Sequence, residues 1–143
     1  MNCRVAACAT GTSAGVEAPR SVRLRSDRVS AWQRAQGIDA GLLTVFCRHT
    51  SASLLMQENA APEVRGDIER YFARIEPESD DYAPDDEGPD DMPAHLRTAL
   101  TQVQLTIPVM GGELALGTWQ GIYRFEHRRR PHRRQLVLHL LGE

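Results

Sequence analysis

The clearest pattern in the chain is the run GLLTVFCRH, Gly41 to His49, in which apolar residues continue through Thr44, Val45 and Phe46 almost without interruption. A continuous run of this length predicts a strand buried on both faces. It stops at a polar cluster. After Pro62, which suits the first turn of a helix, Val64, Ile68, Tyr71 or Phe72, and Ile75 recur at helical spacing, while Glu63, Asp67 and Glu69 fall off that stripe. A second helix is predicted with Asp90 or Asp91 as N-cap, Pro93 in its first turn, and Met92, Leu96, Ala99 or Leu100, and Val103 as its apolar face.

The C-terminal third reads as strands. Gly111-Gly112 lies between two strand-like segments of QLTIPVMGGELALGTW, which predicts a tight hairpin turn at positive φ, and Gln135 to Leu141 forms the last strand. Near the N-terminus, about Arg4 to Thr10 and Ser21 to Leu24 read as strands, and Val29 to Ala35 as a short helix. Interspersed elements with a hairpin and a late cluster of strands predict an α+β fold: a largely antiparallel sheet with two or three helices. We read residues 1–143 as one domain, with 1–20 the least clearly patterned part.

Composition narrows the class. A chain of 143 residues that is 41% hydrophobic and 25% charged, with a formal net charge of -2, is globular, and its overall charge selects no partner. Three cysteines, Cys3, Cys8 and Cys47, are odd in number and lack CxxC spacing, which argues against a disulfide framework and for a reducing compartment. No apolar run approaches the roughly 20 residues of a membrane span, and the first ten residues do not resemble a leader. The expectation is a cytoplasmic protein without an anchor.

Local charge says more than the total. EPESDDYAPDDEGPDD, from Glu76 to Asp91, is too polar and proline-rich for a buried element and reads as a surface loop. RFEHRRRPHRR, from Arg124 to Arg134, is its opposite in charge, with Pro131 placed like the turn of a hairpin into the last strand. Most of such a run is solvated, but Arg133 and Arg134, nearest the strand, suit a phosphate that needs forked donors. No RNA-binding motif or row of aromatics accompanies the arginines, which argues against nucleic acid.

Other residues have functional and bland readings side by side. His49, followed by Thr50, Ser51 and Ser53, gathers an imidazole and hydroxyls at a strand end; alternatively it satisfies its own hydrogen bonds. His95 starts a helix, where the dipole favours neutral imidazole, or is simply at the surface. Glu58, Asn59 and Asp67 could orient an imidazole or move a proton; equally, Asn59 caps a helix and Asp67 is solvated. Trp119 and Gln120, flanked by Gly117 and Gly121, could stack on and read a flat heterocycle, or the indole fills a core or a subunit interface.

Three stretches together resemble one family: HTSASLLMQENAAPEVRGDIERYF at 49–72, DDEGPDDMPAHLRTAL at 85–100 and LALGTWQGIYRFEHRRRPHRRQLVLHLLGE at 114–143. They resemble the YjbQ-type proteins, described as secondary thiamine-phosphate synthases, from roughly Ser21 to the last residue. The resemblance implies a homotrimer with a site near the subunit interface, where His49 and His95 hold a divalent metal, zinc or magnesium. It also implies a transferase that joins a hydroxymethylpyrimidine diphosphate to a thiazole phosphate and releases pyrophosphate. In that reading His49, Ser51, Glu58 and Asp67 carry the catalysis, and Trp119, Gln120, Arg133 and Arg134 bind the phosphorylated substrate. Where the family commonly has Tyr-x-His-Asp, this chain has Tyr82, Ala83, Pro84 and Asp85. Proline neither ligates a metal nor carries a proton, so the alternative is a metal- or small-ligand-binding protein with weak or no thiamine activity.

Overall fold

The computed structural model describes residues 7–16, 21–79, 81–82 and 86–143, except for the side chains of residues 7 and 13–16. In chain order the elements are β1 (Ala7–Val16), β2 (Val22–Leu24), α1 (Ser26–Arg34), β3 (Gly41–Cys47), β4 (Ala52–Glu58), α2 (Pro62–Ile75), α3 (Asp91–Leu100), β5 (Gln104–Met110), β6 (Glu113–Leu114), β7 (Gln120–Glu126) and β8 (Arg133–Gly142). They form an α+β fold with two sheets, ordered β1-β8-β3-β5-β6 and β2-β7-β4. Every strand pairing is antiparallel.

Alternation along the strands explains how the layers stack. Leu43, Val45 and Cys47 of β3, Leu105, Ile107 and Val109 of β5, and Leu136, Leu138 and Leu140 of β8 share one core with Ala52, Leu54 and Ile122 of the smaller sheet. Each fully buried leucine or isoleucine there contributes roughly 1.5–3 kcal/mol relative to exposure. On β7 the neighbouring residues Tyr123 and Phe125 point the other way, into a second cluster with Val22, Leu24, Leu55, Ile68 and Phe72. The three-stranded sheet is thus a middle layer, covered by β3, β5 and β8 on one face and by α2 on the other. Helix α1 adds Val29 and Trp32 to the main core. A Cβ at Gly11 would lie 2.3 Å from the Trp32 indole, so β1 passes that ring only as glycine.

Several sequence expectations hold. Helix α2 begins with Pro62 in its first turn, Asp90 is the N-cap of α3, and Gly111 and Gly112 turn at φ 59° and 71° between β5 and β6. Others are corrected. β3 is buried on one face only: Leu42 and Phe46 are 44% and 40% exposed, because an antiparallel sheet with a helix-free outer face covers alternate residues. α3 is turned away from its predicted stripe; it buries Asp91, Pro93, Ala94, Arg97 and Thr98, while Met92 and Leu100 face out. β4 and β7 were not predicted as strands. Pro131 is no hairpin turn, since β7 and β8 lie in different sheets and the segment between them crosses from one to the other. The N-terminal strand runs on to Val16, past the expected end at Thr10, and residues 4–6 of that expectation lie outside the described residues. Among the described residues no helix is long and apolar enough to cross a membrane.

Candidate functional site

The turn between β3 and β4, residues 48–51, lies where the main-chain ladder of β3 and β8 ends. Beyond the Cys47–Leu136 pair, the Gln135 N–H donates to Nε2 of His49 at 2.7 Å. A nitrogen that accepts has no hydrogen of its own, so the neutral ring carries its proton on Nδ1. Burial holds His49 below the ordinary histidine pKa, and Arg134, Arg48 and His132 push in the same direction while Glu126 opposes them.

From the other side α3 meets the same turn. His95 Nδ1 lies 2.9 Å from the Thr50 carbonyl oxygen and Nε2 lies 3.1 Å from Asp91 Oδ2. Both partners are acceptors, and a neutral ring has one N–H to offer them. Asp91 is in turn bound by Arg128, whose Nε also reaches Asp90 Oδ2 at 3.2 Å and whose NH1 reaches Glu87 Oε2 at 3.0 Å. For Asp90 burial works against ionisation, but the Arg129 N–H and the Arg128 guanidinium outweigh it and hold its pKa down.

Behind the turn sits a buried ion pair. Arg134 Nε and NH2 each donate to a different oxygen of Glu126 at 2.6 Å, and NH2 also reaches the Ser51 carbonyl at 3.2 Å and Oγ at 3.0 Å. Deeper, His127 is fully buried with Nε2 at 2.9 Å from Ser53 Oγ, and its Nδ1 has no hydrogen-bond partner among the described residues. Burial lowers its pKa to about 3, and Arg97 and Arg134 add to the effect.

His49 and His95 line one open cavity of about 650 Å³ with Phe46, Cys47, Arg48, Thr50, Thr98, Ala99 and Val103. The Cys47 thiol in its wall is inert, its pKa raised to about 11 by burial.

The other predicted site residues are elsewhere. In the β4–β7 ladder Ala52 faces Glu126 and Glu58 faces Gln120, so Glu58, Trp119 and Gln120 are at the end of the sheet remote from the cavity. Trp119 is 65% exposed, and Gln120 Oε1 accepts from the Gly117 N–H at 2.8 Å. Asn59 accepts from the Tyr123 hydroxyl rather than capping α2, whose N-cap is Ala61. Asp67 pairs with Arg70 on the exposed side of α2. Arg133 is exposed at the start of β8, while Arg134 and Ser51 are internal and bound to each other. Pro84, with Ala83 and Asp85, lies outside the described residues.

Arg128, Glu126 and the Gln135 main chain were missed as site residues. The Asp91-to-His95 spacing of four, which puts both on one helix face, was a readable signal for the first link of that network.

The model of the UPF0047 protein YjbQ-like family matches residues 15–143. This chain belongs to the YjbQ/UPF0047 family. A UPF0047 protein of Synechocystis is 47% identical over 87% of this chain and 85% of its own length. The UPF0047 protein YjbQ of Salmonella typhimurium is 42% identical over 89% and 93%. Among solved structures, an uncharacterized YjbQ/UPF0047 protein of Clostridium acetobutylicum superposes with TM-score 0.81 at 30% identity, over 89% of this chain and 96% of that one. A protein of unknown function from Sulfolobus solfataricus shares the fold at TM-score 0.83 and 21% identity, over 96% and 100%.

These relatives correct the expectation of thiamine-phosphate synthesis. YjbQ/UPF0047 proteins similar to this one have names that specify no reaction, the Sulfolobus protein is described as of unknown function, and nothing in either indicates that activity. Within one subunit, Trp119 and Gln120 lie apart from the cavity that His49 and His95 line. Nε2 of His49 accepts a main-chain N–H, while His95 gives a neutral ring's one N–H to either the Thr50 carbonyl or Asp91 and keeps its other nitrogen bare. Among the described residues, no three histidine, cysteine, aspartate or glutamate side chains are grouped to hold a metal ion.

Proposed function

We propose that this protein binds a small anionic ligand, with a phosphate or carboxylate head and an apolar body, in the cavity between the 48–51 turn and α3. The observation that carries the reading is the tautomer of His49: the Gln135 N–H leaves Nδ1–H as a donor on a residue lining the cavity. Arg48 adds a positive charge at the rim. Of the nearby carboxylates, Glu126 has both oxygens bound by Arg134, and Asp91 shares the Arg128 guanidinium with Asp90 and Glu87. Phe46, Ala99 and Val103 supply apolar wall.

Phenyl phosphate is the test probe, with phenol and inorganic phosphate as its two halves, and histidine-ring NMR is the readout. The expected result is a saturable change at His49 and His95 with phenyl phosphate, stronger than with either half. His49→Phe should weaken binding by roughly tenfold to a hundredfold, since a hydrogen bond to a charged group is worth about 1.5–3 kcal/mol. A titration that leaves both rings unmoved would overturn the reading. The Asp91–His95 couple favours a second reading, that the bound ligand undergoes acid–base chemistry, because a carboxylate orients an imidazole at the cavity wall.

We further propose a homotrimer, assembled over the outer face of the five-stranded sheet. Support comes from the rows that the register creates there: Cys8, Leu141, Leu42 and Pro108, then Thr10, His139, Thr44 and Thr106, then Thr12, Val137, Phe46 and Gln104. That face carries no Lys, Arg, Asp or Glu in these rows, and Leu42 and Phe46 lie open on it. Phe46→Glu should shift sedimentation equilibrium toward monomer; a wild-type chain that sediments as monomer removes the assembly. The cytoplasm is the compartment we assign, on the strength of the unpaired thiols of Cys8 and Cys47.

A further inference from the structure

The uncharged rows on the outer face of the five-stranded sheet contain one imidazole. His139 stands on β8 between Thr10 of β1 and Thr44 of β3, half-buried in the middle of that face. Its Nδ1 lies 3.0 Å from Thr10 Oγ1, a hydroxyl that either donates or accepts. Nε2 has one hydrogen-bonding contact among the described residues, Cys8 Sγ at 3.9 Å, and a thiol sulfur is a weak acceptor. A neutral ring, with one N–H and one lone pair, suits these surroundings. An imidazolium does not, because its second N–H faces sulfur and no carboxylate in the three rows balances its charge.

The groups that face the ring come from each strand beside it. β1 contributes the Cys8 thiol as its one titratable group in these rows, and β3 and β5 contribute none, their members being Leu42, Thr44, Phe46, Gln104, Thr106 and Pro108. Along β8 the neighbours on the same side are Val137 and Leu141. Continued alternation reaches Arg133, and on β3 Arg48, both exposed at one end of the face; as cations they oppose protonation of the ring. At the other end Glu143 is four residues from His139, about 13 Å along an extended strand and beyond the roughly 8–10 Å reach of an exposed charge in physiological salt.

We propose that His139 makes assembly over this face pH-dependent: the homotrimer holds with neutral rings and comes apart as the rings take up protons. The proposal rests on the reading of this face as the subunit contact. Covering the face takes water away from an imidazole that has no anion beside it, and burial disfavours the charged form. The ring therefore binds its proton less readily in the trimer than in the free subunit. Assembly is at full strength above the free subunit's titration and weakens as pH falls through it, within the span of about pH 5 to 8 in which histidine changes charge. Three copies bring three rings. Each proton linked to dissociation multiplies the dissociation constant by about ten per pH unit, so three multiply it by up to about a thousand.

The experiment is sedimentation equilibrium of the full chain at about pH 7.5 and about pH 5.5, with circular dichroism to follow folding. Wild type should be trimeric at the higher pH and monomeric at the lower, and His139→Gln, which stays neutral, should be trimeric at both. A wild-type trimer that ignores pH overturns this proposal and leaves the trimer reading standing. A wild-type monomer at the higher pH sinks the trimer reading and this proposal with it, so the two failures are distinguishable. If His139→Gln comes apart on acidification as wild type does, other groups carry the response and the proposal is overturned. If the variant does not assemble at the higher pH, or the chain unfolds at the lower, titration of the wild-type His139 ring by NMR decides. A midpoint that falls as protein concentration rises supports the proposal, and one that concentration does not move overturns it.

Discussion

The two ends of the three-stranded sheet are built from the same strands, β4 and β7, and use them in opposite ways. Where Ala52 faces Glu126, the chain leaves β7 and crosses to the larger sheet, and Glu126, His127 and Arg128 are all carried inside. Each then needs a partner within the subunit: Arg134 for Glu126, Ser53 for His127, Asp90 and Asp91 for Arg128. Where Glu58 faces Gln120, the strands end at the surface and Trp119 and Glu58 are exposed. The lesson is that polar side chains acquire fixed geometry where the backbone must pass between layers. An identical strand pairing ending in solvent leaves its polar groups to water.

The sharpest way to break the contrast is to remove a charge at the buried end. Arg128→Ala leaves Asp90 and Asp91 close together without their shared cation, and breaking a buried pair by deleting one partner costs about 3–5 kcal/mol. Urea denaturation at neutral pH should show a loss of that size. A loss below about 1 kcal/mol would mean that the network is solvated and the ends are alike.

Acid should separate the ends next. His127 is buried neutral, with its folded pKa lowered to about 3 from an ordinary value near 6.5. The unfolded chain therefore binds a proton that the native state refuses throughout that interval. Its contribution to stability is complete above about pH 6.5 and declines by about 1.4 kcal/mol per pH unit as pH falls toward about 3. His49, also held below its ordinary value, acts with the same sign. Denaturation midpoints followed between neutral pH and pH 4 should fall, and His127→Gln should flatten the slope; an unchanged slope in that variant would assign the acid response to other groups.

The same contrast explains what could be read from the sequence. Helix α2 and the Gly111–Gly112 turn were legible because proline in a first turn and paired glycines at positive φ are local requirements. β7 was not, since its residues from Tyr123 to Glu126, and His127 and Arg128 after them, are buried whatever their polarity, and a buried arginine reads as a surface charge until its carboxylates are known. α3 was inverted for that reason: Asp91 and Arg97 point inward through ion pairs and main-chain bonds, leaving Met92 and Leu100 outside. His49 and His95, grouped only through the family resemblance, line one cavity, whereas the remoteness of Trp119 depends on strand register, which no local pattern displays.

Smaller effects belong to the exposed end. Gln120→Ala removes the acceptor of the Gly117 N–H, a single exposed hydrogen bond, and should cost about 1 kcal/mol or less by the same urea measurement.

Trp119→Ala should cost least. An indole 65% exposed makes few contacts that folding protects, and substitutions at such positions stay within about 0.5 kcal/mol. The measurement is most informative when repeated across protein concentration. In a lone subunit the effect is the same at every dilution. If a second copy covers the indole, the substitution destabilises the concentrated protein more than the dilute one, because each association that Trp119 supports stabilises the fold by mass action. A concentration-independent effect would leave the exposed end a plain surface, and the contrast with the charged end would then hold for the assembled protein as well as for one subunit.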